Sequence, residues 1–121
     1  PIRSLEIRCT IEQVGPEKIP ALRHDGGPLK EHVDFDAVHP PLVVRPRRPG
    51  ERFFPLGAPG SKKLSDFLTG EKVDPRERRN VAVLCDQLGP IWVIGYRIDD
   101  RVKLTSQTRR VLHLVARPLD R

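Results

Sequence analysis

Proline and glycine punctuate this chain so often that no regular element can run long: 13 prolines and 9 glycines fall among 121 residues, and proline stands at about twice its usual share of roughly 5%. The longest apolar stretches are runs such as Val81-Ala-Val-Leu-Cys85 and Ile91-Trp-Val-Ile94, against the roughly 18 to 20 residues that a spanning helix takes. A transmembrane helix is excluded. Yet 37% of residues are hydrophobic and no stretch is low in complexity, which predicts a folded domain rich in turns. The length suits one domain and leaves little room for a second. The amino end, Pro1-Ile-Arg-Ser-Leu-Glu-Ile-Arg, alternates charged and apolar residues where a secretory signal has a basic start and an apolar core, so the cytoplasm is the expected compartment. Methionine is absent, position 1 included, and this points to a piece excised from a longer protein.

Between the punctuation marks the apolar residues recur with two periods. Leu5, Ile7 and Cys9 alternate with Glu6 and Arg8, predicting a half-buried strand toward Ile11. Gly15-Pro16, Pro20 and Gly26-Gly27-Pro28 mark turns and loops with no regular element. Val33, Phe35 and Ala37 predict a second strand stopping at Pro40-Pro41, and Leu42-Val43-Val44 a third, kept from a long central position by Pro46 and Pro49. Residues 45–60 form an irregular basic loop, and loops of that length in compact domains are usually functional. Leu64, Phe67 and Leu68 fall at helical spacing before Gly70, predicting a short helix over about 61–69 with Ser61 as N-cap. Asp74-Pro-Arg-Glu77 predicts a second helix over about 75–80, with Asp74 as N-cap, Pro75 at N1 and Glu77 completing a capping box. Val81–Cys85 and Ile91–Ile94 read as a hairpin around 86–90, and Val111–Val115 as a closing strand. Asp99-Asp100 reads as a β-turn. Phe53, Phe67 and Trp92 fall within apolar patterns and belong to the core. The fold class is α+β and strand-dominated, a β-sandwich-like domain of short strands with two short helices.

The formal charge of +6 is unevenly spread. Residues 1–44 hold 5 basic and 7 acidic side chains; residues 45–121 hold 17 and 9. Such a surplus attracts a polyanion, most commonly nucleic acid, with an acidic membrane surface or acidic protein as alternatives. Arg45, Arg47, Arg48 and Arg52 form the densest cluster, and guanidinium forks suit phosphate oxygens. Glu51 among them is expected to neutralise one, with Arg52 its structural partner. Lys62 and Lys63 would lie in the first turn of the Ser61 helix, where the macrodipole disfavours each by about 0.3–1 kcal/mol; the conflict disappears if that end faces a phosphate. Arg78 and Arg79 suit the end of the second helix. Aromatic residues are too few for an RNA binder that stacks successive bases, so a structured RNA read through backbone and shape is favoured.

Catalytic and metal constellations are missing from the pattern. There is no G-x-S-x-G, H-E-x-x-H or complete Walker A sequence, and Gly57-Ala-Pro-Gly-Ser-Lys62 fails the phosphate-loop spacing. The histidines, His24, His32, His39 and His113, are scattered, with neither i, i+4 pairing nor a CxxC partner. No metal or catalytic residue is assigned. Cys85 closes an apolar run and reads as a buried free thiol, while a Cys9–Cys85 disulfide stays open.

Several motifs in order resemble a known family. Arg48-Pro-Gly-Glu-Arg-Phe-Phe-Pro-Leu-Gly57, Gly60-Ser-Lys-Lys-Leu-Ser-Asp-Phe-Leu68, Lys72-Val73, Arg78 and Ile91-Trp-Val-Ile-Gly-Tyr-Arg-Ile-Asp99 are similar to the carboxy-terminal domain of bacterial tRNA(Ile)-lysidine synthetase. The match covers about residues 42–104, with residues 1–41 as leading strands and loop and 105–121 as closing strand and tail of one domain. Glu51 replaces the usual Asp of the G-D-R-F element, Asp74-Pro75 shifts an expected proline by one, and Ala82 stands where proline is common. The resemblance implies a parent ligase that uses ATP and lysine to convert the wobble cytidine of tRNA(Ile) to lysidine. That work belongs to an amino-terminal domain with an S-G-G-x-D-S loop, absent from this sequence, so the piece in hand is expected to be catalytically silent and to hold no cofactor. It further implies a β-sandwich with helices, similar to a domain of the phenylalanyl-tRNA synthetase β-chain, that contacts the tRNA acceptor stem. Arg45, Arg47, Arg48, Lys62 and Lys63 are then the expected phosphate holders, and Lys72, Arg97, Arg101 and Lys103 complete the candidate set; Glu51, Arg52, Ser61 and Asp74 are assigned structural roles. The tRNA and the amino-terminal domain are the expected partners, with no membrane among them and the oligomeric state open. The alternative is a packing domain whose basic face meets acidic protein.

Overall fold

The computed structural model describes residues 4–119; residues 1–3, where the amino-terminal alternation begins, and 120–121, the end of the tail, lie outside the described residues. Among the described residues nine strands, all paired antiparallel, make two main sheets and a ribbon. The first sheet has the order β1 (Leu5–Gln13), β9 (Arg110–Pro118), β2 (Lys30–Asp34); the second runs β3 (Val43–Pro46), β6 (Ala82–Asp86), β7 (Gly89–Val93), β8 (Arg97–Ile98); β4 (Arg52–Phe53) pairs with β5 (Lys62–Lys63). No helix of the described residues is long and apolar enough to cross a membrane.

The two-residue period of the strands decides the layers. Leu112, Leu114 and Ala116 of β9 face Ala82 and Leu84 of β6, with Trp92, Ile94 and Ile98, in one core between the sheets. The intervening residues Val83, Cys85 and Val93 face the other way, onto Phe53, Leu64, Phe67 and Leu68. A strand covered on both faces reads as a continuous apolar run, and this accounts for Val81–Cys85. On the far face of the first sheet Val111 packs with Val14, Ile19 and Leu104. The result is four layers: α1 (Ile19–Arg23), the three-stranded sheet, the four-stranded sheet, then the ribbon with α2 (Leu64–Gly70). The strand-dominated sandwich expected from sequence is what forms.

Several expectations shift. Helix α1 occupies the segment read as loop, and its prolines are the reason: Pro16 opens a 3-10 turn over Pro16–Lys18 and Pro20 lies in the first turn of α1, where a missing N–H costs nothing. The second strand begins earlier, at Lys30, and ends at Asp34, whose carboxylate takes the Asp36 N–H at 3.0 Å and turns Phe35–Ala37 into a 3-10 turn. Along β1 the alternation buries Leu5 and Ile7 only in part, and Cys9 and Ile11 are exposed, since none of the described residues covers the outer half of this edge strand. β3 is an edge strand as its prolines require. The β6–β7 hairpin closes where Asp86 pairs with Gly89, and the β7–β8 turn needs φ +94° at Gly95, open to glycine without strain. Helix α3 (Pro75–Arg78) carries the expected Asp74 cap, but it ends at Arg78, short of residue 80, and the expected capping box does not form: the Asp74 carboxylate takes the Arg76 N–H at 2.8 Å, and among the described residues the Glu77 carboxylate makes no return bond to Asp74. Asp99 caps the 3-10 turn Asp100–Val102 and accepts the Phe54 N–H at 3.0 Å. Cys85 is buried, Cys9 exposed, and both are free thiols.

Candidate nucleic-acid interface

The long basic loop is stitched across its middle. Arg52 pairs with Lys63 and Phe53 with Lys62, and the Leu64 N–H donates to the Glu51 carbonyl at 2.8 Å. Alternation then sorts the side chains. Phe53 turns inward against Phe67, edge to face with centroids 5.0 Å apart, while Arg52 points to solvent beside exposed Lys63. Cations about ten positions apart in sequence are thereby set side by side. Like charges directly opposite on a ladder are destabilising, and an anion across them removes the penalty. Arg48 and Arg52 also border a cavity of about 490 Å³ whose far side is the β6–β7 turn, Gln87 to Pro90.

Lys62 and Lys63 are not in the first turn of a helix begun at Ser61. Pairing with β4 keeps them extended, so α2 starts at Leu64, with Lys63 in the cap position and no side-chain cap. Ser61 serves Arg52, whose Nε donates to its Oγ at 3.1 Å. The Lys62 ammonium lies 3.7 Å from where a Cβ on Gly70 would stand, at the opposite end of α2, and a cation suits carbonyls there. The expected conflict with the helix dipole is thus absent, and the crowding of Arg52 against Lys63 takes its place.

Glu51 pairs with Arg45, not with Arg52. Nη1 and Nη2 of Arg45 take both carboxylate oxygens, and the Arg48 N–H adds a bond at 2.9 Å. The two side chains are only 17% and 11% exposed, so Arg45 is committed within the fold and is a poor phosphate holder. Burial pushes the Glu51 pKa up, but the Arg45 bonds, the Arg48 N–H and the charges of both arginines outweigh it and hold the carboxyl below its usual range. A depressed folded-state value means that the stabilisation is present above the unfolded carboxylate range and is lost as pH falls through the folded one. Glu51→Gln should therefore flatten the acid limb of a stability–pH profile followed by urea unfolding, its deficit greatest near neutrality.

Arg97, Arg101 and Lys103 are likewise engaged. Arg97 meets Glu71 at 3.2 Å and lies 5.2 Å above the Phe67 ring; Arg101 clamps Asp86, and Lys103 pairs with Asp100 at 3.3 Å. Of the expected phosphate holders, Arg47, Arg48, Lys62, Lys63 and Lys72 have no acidic partner among the described residues. Arg52, assigned only a structural role, joins them. The signal for it was the two-residue alternation Arg52-Phe53, which fixes its outward face once Phe53 is taken as core.

This basic ribbon on a β-sandwich can be set beside known proteins. The family model for the TilS substrate C-terminal domain matches residues 42–114. The chain belongs to this family. Among curated relatives, tRNA(Ile)-lysidine synthase of Caldanaerobacter subterraneus subsp. tengcongensis is 37% identical over 86 residues, 71% of this chain and 18% of that protein. The Symbiobacterium thermophilum enzyme is 34% identical over 116 residues, 96% of this chain and 23% of the relative. The chain thus spans about a fifth of the synthases it matches. A crystal structure of a TilS C-terminal domain superposes with a TM-score of 0.72 at 25% identity, covering 100% of this chain and 95% of the other. An N-terminal fragment of the phenylalanyl-tRNA synthetase β-subunit from Pyrococcus horikoshii shares the fold, with a TM-score of 0.69 at 19% identity over 95% of this chain and 40% of that one. The motifs between Arg48 and Asp99 thus identified this C-terminal domain family, and the relationship extends to the leading strands.

Proposed function

We propose that this chain is one tRNA-gripping module, residues 1–121, of a cytoplasmic lysidine synthase. It holds the acceptor stem of tRNA(Ile) while a separate amino-terminal domain uses ATP to attach lysine to the wobble cytidine. The chain itself supplies no catalytic side chain and no cofactor contact in this reading. The observation that carries it is the β4–β5 ribbon of exposed cations, Arg52, Lys62 and Lys63, with exposed Arg48 on the same cavity as Arg52 and none of the four side chains in a salt bridge among the described residues, in a family of tRNA-modifying enzymes. Most aromatic rings are buried or partly buried, which favours a structured stem over splayed bases.

Titration of labelled tRNA(Ile) with the 121-residue chain tests the proposal. If about four phosphates are engaged, affinity should fall on the order of a hundredfold between about 50 and 200 mM salt. Lys62→Glu with Lys63→Glu should weaken binding by about tenfold or more at low salt. No binding at low salt, or binding indifferent to the double reversal, overturns it; a face that cross-links only to protein would make this a packing domain.

A further inference from the structure

Two histidines far apart in the sequence form one cluster. His32 of β2 lies opposite His113 of β9, their rings edge to face at 86° with Nδ1 facing Nδ1 at 2.8 Å. Each ring places its other nitrogen on a carboxylate: His32 Nε2 on Asp25 at 3.1 Å and His113 Nε2 on Glu12 at 2.8 Å. Both carboxyls are held below their usual range, Glu12 chiefly by the bond to His113 and then by Lys18, Asp25 chiefly by Lys30 and then by His32. An ionised carboxylate only accepts, so each Nε2 carries hydrogen. The Nδ1 contact needs one hydrogen and one lone pair. All three contacts are satisfied at once only when three protons occupy the four ring nitrogens, an imidazole and an imidazolium sharing the middle one.

We propose that this shared proton is an acid-sensitive latch holding helix α1 on the outer face of the three-stranded sheet. The relay reaches both flanks of the helix. Glu12 pairs with Lys18 just before α1, and Asp25, which also pairs with Lys30, follows it. Otherwise α1 is held by Ile19 and Leu22 in a small cluster with Val14, Leu104 and Val111, and by Arg23 donating to the Leu104 carbonyl at 3.3 Å. Leu22 and Arg23 wall a cavity of about 360 Å³, and Glu31 and Lys103 are the other charged groups that line it beside His32. A fourth proton sets N–H against N–H at the 2.8 Å contact, and the rings must part. Loss of the third leaves bare nitrogens facing each other or facing a carboxylate. The latch is closed only between these two limits, each of which is one proton away from the shared state. Release on the acid side frees the helix and widens the cavity.

Imidazole nitrogen NMR and amide exchange on the 121-residue chain test this. Near neutral pH both Nε2 should report as protonated and the two Nδ1 as sharing one hydrogen, with the rings titrating together in two steps. After correction for intrinsic rates, amides of Arg23, His24 and Asp25 should lose about tenfold or more of their protection between about pH 6.5 and 4.5, while β6 and β7 keep theirs. His113→Gln should remove that pH dependence. Should His113→Gln fail to fold, Glu12→Gln, which leaves both rings in place, should shift it. Two neutral rings titrating independently, or helix protection indifferent to pH in the unsubstituted chain, overturns the latch.

Discussion

Asp86→Ala is expected to destabilise the chain by about 3–5 kcal/mol, the cost of leaving a buried ionic partner alone. The Asp86 side chain is fully shielded, against 28% exposure for Arg101. It accepts from Arg101 Nη1 and Nη2 at 2.9 and 2.7 Å, and from the His39 and Leu88 N–H groups at 2.9 Å each. Truncation strands a guanidinium and two amides at once. Burial pushes the Asp86 pKa up, but the bonds from Arg101, His39 and Leu88 and the Arg101 charge hold it below the usual range. With a depressed folded-state value, its stabilisation is complete above the unfolded carboxylate range and fades as pH falls through the folded one. Urea unfolding at neutral pH checks the size, and Arg101→Met paired with Asp86→Ala should be clearly less than additive. A cost below about 1 kcal/mol would contradict this account.

Phe67→Ala should cost a similar 3–5 kcal/mol and weaken tRNA binding as well. Phe67 is 3% exposed, at the centre of the cluster joining α2 to the outer face of β6 and β7. One edge meets Phe53 and one face carries the Arg97 guanidinium, contacts worth about 0.5–1.5 kcal/mol each beyond burial. Phe53 is the inward residue of β4, so the cavity opens directly beneath the ribbon that presents Arg52 and Lys63. Phe67→Leu, which keeps most of the volume but loses both ring contacts, should cost about 1–3 kcal/mol and leave affinity nearly intact. Unfolding curves and tRNA titrations at a temperature where all three proteins are folded separate the two effects. Asp86 differs here. Its contacts run to Arg101, His39 and Leu88, none of them in the ribbon.

Local rules carried the sequence reading wherever the deciding partner was near. The Asp74 N-cap before Pro75, the β6–β7 hairpin and the inward rings of Phe53, Phe67 and Trp92 all rest on residues within a few positions, and all form, the cap without its Glu77 arm. Two kinds of feature were illegible. Proline reads as a breaker until the helix start is known, so α1 was hidden behind Pro16 and Pro20. Partner choice among charges depends on strand register: Arg45 and Glu51 meet because β3 runs beside β6 while the loop folds back, and His32 meets His113 across 81 positions. Within the candidate site, sequence identified the cations but not which had acidic neighbours. Arg45, Arg97, Arg101 and Lys103 were separated from the free set only by contacts.

The central place of β9 governs the order in which the molecule can assemble. The strand pairs with β1 on one side, from Leu5 against Pro118, and with β2 on the other. The second sheet draws three of its four strands from residues 82–98, so the β6–β7–β8 part of it needs only local closure, which is fast, while β3 joins it from residues 43–46. During synthesis β1 and β2 leave the ribosome before β9, the strand both pair with among the described residues, and until then stand as edges exposed to misassociation. Half of the sandwich therefore waits on residues 110–118, and a chain cut short before them would leave β1 and β2 unpaired and the inner face of the second sheet without Leu112, Leu114 and Ala116 to cover it.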